Sequence, residues 1–258
     1  VSLWGNLNHN RNEILKISDA LRAYNQRVNE KYEAAENAQG NVHLSEWGSE
    51  YSEPEMKYEE GASLTSIFAI RSLGIDPMTG NELFLYRDGS VSSLWKATET
   101  VRVGDEEPKA SGSFGVNLTY KNLTLFASFA YDWGKQTYNQ TLVDGVENAD
   151  IENSNVDRRV LTQRWQKPGD IAPLRNIKDM NTSTMPTSRF VQDDNELSLS
   201  ALTLSYDFNT DWLKKIRLKM LRLELSTNDL FRASTVRQER GTSYPFARTF
   251  NFSLRATF

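Results

Sequence analysis

Apolar and polar positions alternate with a period of two through much of the second half of the chain. In "SFGVNLTYK", Phe114, Val116, Leu118 and Tyr120 alternate with Ser113, Gly115, Asn117, Thr119 and Lys121. In "LTLFASFAYDW", Leu123, Leu125, Ala127, Phe129, Tyr131 and Trp133 share one parity. "LRLELSTN" places Leu221, Leu223 and Leu225 opposite Arg222, Glu224 and Ser226. The last stretch, "ARTFNFSLRATF", sets Phe250, Phe252, Leu254, Ala256 and Phe258 against Asn251, Ser253, Arg255 and Thr257. Such alternation predicts strands with one apolar and one polar face. "ELSLSALTLSYDF" changes parity midway: Leu197 and Leu199 are odd, whereas Leu202, Leu204, Tyr206 and Phe208 are even. One extra residue near Ser200–Ala201, a β-bulge, restores a common face.

Eight segments read as strands: 1–17, 63–75, 81–87, 112–121, 123–133, 196–208, 218–229 and 247–258. Their connections take turns between short and long. "DPMTG" (76–80) is short, Lys121–Asn122 is minimal and "NTDWLKKIR" (209–217) is moderate, while 18–62, 88–111, 134–195 and 230–246 are long. Two long connections carry helical spacing. Leu21, Tyr24, Val28 and Tyr32 recur after a Ser18 or Asp19 N-cap, and Val156, Val160 and Trp165 precede a stop at Pro168–Gly169. The alternation of "VSLWGNL" predicts that the chain begins within a strand, as a fragment or cleavage product would.

Outer-membrane barrels combine such strands with short turns at one end and long loops at the other. A soluble β-sandwich shares the alternation. Three features favour lipid. Aromatic residues gather at strand ends (Tyr120, Tyr131, Trp133, Tyr206, Phe208 and Phe258), as an interfacial girdle requires. The polar faces carry Asp132, Arg222, Glu224 and Arg255, which suit a wet lumen. The long connections fall on one side throughout. Small inward residues such as Ser113, Gly115, Ser226 and Ser253 would fill a narrow eight-stranded bore poorly. Part of a wide, plugged 22-stranded barrel fits better.

Composition narrows the chemistry. Thirty basic residues against 34 acidic ones give a net charge of −4, without the basic excess of a nucleic-acid binder. Cysteine is absent, and His9 and His43 are the only histidines, so neither disulfide nor metal motif is expected. No cofactor is expected. Asp193, Asp194 and Glu196 form a carboxylate cluster without a partner base and read as a solvated strand start. "GKQT" (134–137) lacks the upstream glycine of a phosphate loop. An enzyme is therefore not expected.

Six stretches together resemble one family. They are "GIDPMTGNELFLY" (74–86), "GDEEPKASGSFGVNLTYKNLTLFASFAY" (104–131), "RWQKPGD" (164–170), "SRFVQDDNELSLSALTLSYDF" (188–208), "LRLELSTNDLF" (221–231) and "YPFARTFNFSLRATF" (244–258). In order and spacing they are similar to the C-terminal barrel of SusC/RagA-type TonB-dependent outer-membrane transporters. The resemblance implies an all-β transmembrane antiparallel barrel, with residues 1–258 supplying about eight C-terminal strands of 22 and long extracellular loops. It implies import of oligosaccharides or peptides beneath a SusD-like surface lipoprotein that acts as a lid. It also implies energy from the TonB complex, acting through a TonB box and plug that these residues do not include. The setting would be the bacterial outer membrane, with lipid against the apolar face.

Candidate residues follow from the loops. Aromatic faces and planar polar groups hold sugars, which points to Trp95, Tyr138, Trp165 and Arg164 for substrate, with Asp170 nearby. For Trp165 an anchoring role in its own loop is the stronger expectation. Trp47, Tyr51 and Tyr58, in an acidic loop, are candidates for lid contact. Phe258 resembles the C-terminal aromatic residue that outer-membrane assembly machinery recognises. The rival readings are a complete small outer-membrane barrel and a soluble β-sandwich glycan-binding module.

Overall fold

The computed structural model describes residues 1–38, 51–151, 155–177, 183–208, 213, 217–237 and 248–258. In chain order the strands are β1 (Ser2–Asn8), β2 (Ser66–Ala69), β3 (Arg71–Ile75), β4 (Glu82–Leu85), β5 (Val91–Ser92), β6 (Val101–Asp105), β7 (Ala110–Tyr120), β8 (Leu123–Tyr138), β9 (Val191–Asp207), β10 (Met220–Ser234) and β11 (Phe250–Thr257). Helix α1 spans Asp19–Ala38, and a single turn, α2, spans Arg159–Thr162.

Six strands form one antiparallel wall in the order β1-β7-β8-β9-β10-β11. The register sorts side chains as the alternation predicts. Leu118, Leu125, Leu204, Leu225 and Phe252 form one cross-strand row, and Tyr120, Leu123, Tyr206, Leu223 and Leu254 form the next on the same face. On the other face, Thr119, Thr124, Ser205, Glu224 and Ser253 make a polar row. The expected bulge is present: Ser128 pairs Ala201, then Phe129 pairs Leu199, leaving Ser200 as the extra residue.

The apolar face is uncovered. Leu204 is 38% exposed, Phe252 71% and Leu254 61%. Water does not tolerate so continuous an apolar surface, and among the described residues no second sheet packs on it as a sandwich requires. Its height fits a bilayer. Ten residues separate Leu123 from Trp133 on β8. At about 3.3 Å per residue and a tilt near 40°, they rise about 25 Å, the expected thickness of the apolar band. Tyr120 and Tyr206 border it at the turn end; Tyr131 and Trp133 border it at the loop end.

Two expected wall strands lie elsewhere. Segments 63–75 and 81–87 supply β2, β3 and β4, which belong to a two-stranded sheet (β2-β6) and a three-stranded sheet (β3-β4-β5) within the long β1–β7 connection. The wall therefore holds six described strands rather than eight. The physical reason is visible in β2: all four residues are buried, as in a core strand without faces. Strands of four or five residues are also too short to cross a bilayer, which takes about 9–11. "DPMTG" accordingly lies among the loops and not at the turn end. The even number of wall strands keeps the short turns together at one end.

The long connections build a loop assembly with its own core. Ser18 Oγ caps α1 by accepting from the Leu21 amide at 3.3 Å. The predicted helical stripe delivers Val28 and Tyr32 to a cluster with Ile70, Phe84, Tyr86, Trp95, Ala97 and Met185. A second cluster joins Val146, Val160 and Leu174. The expected helix near 155–170 is only the four-residue α2, and Trp165 lies beyond it.

Candidate functional site

The loop assembly is fastened to the wall by a buried ionic cluster. Arg189 sits on a short 3-10 turn immediately before β9. Its guanidinium donates to Glu82 Oε2 at 2.8 Å and to Glu147 Oε1 at 2.6 Å, and also to the Pro173 carbonyl. Thr187 Oγ1 donates to the other Glu82 oxygen at 2.6 Å. Burial opposes the Arg189 charge, but Glu82 and Glu147 outweigh it and hold its pKa above the usual arginine range. One side chain thus ties β4, the 143–147 turn and the 173 segment to the start of β9. Sequence reading missed this cluster because Glu82, Glu147 and Arg189 share no local spacing.

The candidate substrate residues take up internal positions. The Trp95 indole donates to the Pro186 carbonyl at 3.0 Å and lies 5.4 Å from the Tyr32 ring within the first core. Trp165 donates to the Pro77 carbonyl at 2.8 Å. Its ring covers Gly80, where a Cβ would approach within 2.5 Å and where φ is +76°. Arg164 is buried and donates to the carbonyls of Val146, Glu147 and Arg175. These three groups are committed to holding loops together, and the anchor of Trp165 is the "DPMTG" turn rather than Val160. Asp170 likewise accepts from the amides of Gln166 and Lys167. Tyr138, at the end of β8, packs edge-on to Phe190, and its hydroxyl is buried. It borders a cleft of about 180 Å³ lined also by Glu53, Glu55, Glu106 and Phe68.

Of the lid candidates, Trp47 lies outside the described residues. Tyr51 is half-buried beneath the Lys31 ammonium, 5.4 Å from the ring centre. Tyr58 stacks edge-on with Tyr24 at 5.7 Å, and its backbone exchanges two hydrogen bonds with the Asn25 amide. Phe258 is 82% exposed beside the edge strand β11.

The wall's polar face carries paired charge at both ends. Near the turns, Arg222 grips Asp207 with two hydrogen bonds of 2.6 and 2.7 Å. Near the loops, Lys135 lies 3.2 Å from Asp194, and Arg232 lies 2.8 Å from Glu196. Asp194 and Glu196 are thus paired partners of basic groups on neighbouring strands. Among the described residues no cluster suits a metal ion.

One apolar outward face, one charged inward face and a rim crowned by a packed loop assembly define a segment of wide barrel wall. Comparison with known proteins agrees. No protein-family model matches the chain. A curated relative, TonB-dependent receptor P39 of Formosa agariphila, is 24% identical over 159 residues, covering 60% of this chain and 15% of the relative. A solved structure of the RagAB peptide transporter covers 72% of this chain at TM-score 0.57 and 20% identity. The RagAB peptide importer in its open-open state covers 66% at TM-score 0.56 and 21% identity. The fold is that of a SusC/RagA-type TonB-dependent transporter barrel. The bare apolar face of this wall is suited to lipid. The chain spans 19–21% of the length of these RagAB chains and about a seventh of the receptor's.

Proposed function

We propose that this chain is the C-terminal part of the barrel of a TonB-dependent nutrient importer, and that it works with a SusD-like lipoprotein lid to take up oligosaccharides or peptides. The carrying observation is the contrast between the bare apolar face and the rigid loop assembly at one end of it. A wall alone needs only short connections. Here the loops have two cores and a buried ionic fastening, which supports a role in presenting a fixed surface to a partner. That surface has apolar material to offer: Met78, Leu161 and Ile171 are exposed around the Trp165 anchor. Tyr51 and Tyr58 brace the neighbouring face from within.

In this reading the energy enters through the TonB complex, and the chain's own residues perform no covalent chemistry. The test is purification of the full-length protein from membranes. Extraction is expected to need detergent, a surface lipoprotein is expected to co-purify, and mass spectrometry of the complex should find a bound oligosaccharide or peptide. Ile171→Asp paired with Met78→Asp should weaken lipoprotein recovery about tenfold, the loss of about 1.4 kcal/mol of binding. A detergent-free monomer would remove the importer reading.

A further inference from the structure

A second cleft, of about 420 Å³, opens at the loop-side rim. This volume lies in the range of small-ligand sites, about 300–1,000 Å³. Its position matters more than its size. The wall residues that line it include Trp133, Gln136, Asp193 and Asn195. Trp133 shares the parity of Tyr131, while Asp193 and Asn195 continue the parity of Leu197 and Leu199. After the bulge between Asp132 and Lys135, Gln136 pairs Asp193 on this same outward side. The cleft therefore sits on the outside of the barrel, directly above the apolar band. Its far wall comes from the segment leaving β1 and the segment entering β7.

The lining has a particular chemistry. Trp133 is 65% exposed and offers a flat apolar face at the interface. Around it stand planar polar groups already fixed in orientation. Gln136 donates to Asp193 at 3.1 Å, Asn10 donates to Glu107 at 2.8 Å, and the Asn195 side chain accepts from the Gly134 amide at 2.7 Å. The exposed Lys109 adds a cation at the mouth. An aromatic platform ringed by amides and carboxylates suits a sugar ring, whose hydroxyls both donate and accept and whose C–H face is apolar.

The geometry points to a binding site for the sugar headgroup of an outer-leaflet glycolipid. A lipid whose acyl chains lie along the Ala127–Leu202 and Phe129–Leu199 rows would raise its headgroup to the level of Trp133. A freely diffusing sugar would gain nothing from the apolar band below, so the anchored ligand is favoured by its effective concentration. The inference rests on the barrel reading but not on the identity of the imported nutrient.

The test uses the full-length protein in detergent, mixed with equal amounts of rough lipopolysaccharide and phosphatidylethanolamine and read by native mass spectrometry. Glycolipid adducts should exceed phospholipid adducts by about tenfold. Trp133→Ala and Gln136→Ala should each cut glycolipid retention by about fivefold or more and leave phospholipid retention unchanged. The heat-modifiable gel mobility of the folded barrel serves as the folding check, and Gln136→Ala carries the test if Trp133→Ala fails it. Unchanged glycolipid retention in the folded variants would overturn the proposal. So would equal retention of the two lipids, or binding of the free core oligosaccharide as tight as that of the glycolipid. These failures would leave detergent dependence and lid co-purification intact, so they are separable from failure of the importer reading.

Discussion

The wall and the loop assembly use similar residues to opposite ends. In the wall, Leu204 and Phe252 face outward and stay bare, and backbone pairing across six strands supplies the order. In the loop assembly, Ile70, Phe84 and Trp95 are buried below 10% exposure, and the strands are short. The wall is ordered by hydrogen bonds and solvated by lipid; the loops are ordered by a core and solvated by water. Their failure modes should therefore separate, and four experiments on the full-length protein can break or sharpen that contrast.

The largest effect is expected from Arg189→Ala. It leaves Glu82 buried without its cation and Glu147 with only Arg175, 3.7 Å away, at a cost of about 3–5 kcal/mol. Limited proteolysis should then cut within residues 51–109 and 139–187, while gel mobility still reports a folded barrel. Loss of the barrel itself would show that wall and loops fold as one unit.

Next comes a pair of neighbours. Leu202→Arg, opposite Ala127, puts a charge on the lipid face near mid-height and should cost about 2–4 kcal/mol in urea titration of the barrel refolded in vesicles. Thr203→Arg, one residue away on the inward face, should cost far less. Equal costs would break the assignment of faces.

Gly80→Ala is third. It forces an L side chain into φ +76° and against the Trp165 ring, with an expected penalty of about 1–3 kcal/mol. The damage should appear as earlier proteolysis near 164–170, with no change in barrel mobility.

The smallest effect concerns pH. Lys57 donates to Asn29 and Thr100, and burial, reinforced by Arg87, lowers its pKa from 10.5 to about 8. A lysine depressed in the folded state penalises folding below its folded pKa. That penalty is relieved as pH rises from about 8 toward 10.5. Protease resistance of the loop assembly should rise modestly over that window, and Lys57→Met should flatten the rise.

The faces of the wall were legible because each strand reads independently at period two. Even the Ser200 bulge followed from a parity slip between Leu199 and Leu202. Helix α1 was legible from the 3.6-residue stripe that buries Val28 and Tyr32. The placement of β2 was misjudged, although "SIFAI" carried the signal: Ile67, Phe68, Ala69 and Ile70 run without alternation, as buried strands do. Asp76 explains why "DPMTG" announced a turn without saying where. Its carboxylate accepts from the Met78 amide and the Thr79 hydroxyl, a purely local arrangement. The Arg189 cluster had no local signature, since its partners come together only when the loops pack.

The two bulges on β8 and β9 have a consequence for how such a chain can vary. Each adds a half-period and so resets which way every later side chain points. Deleting Gly134 would merely remove the β8 bulge and leave Lys135 inward after Trp133, whereas deleting Ala130 would turn Asp132 from the lumen toward the lipid side. Wall strands can therefore lengthen or shorten in steps of two, or by one residue with a compensating bulge, whereas loops obey no such arithmetic. Descendants of this sequence should keep a nearly quantised wall and spend their insertions above the rim.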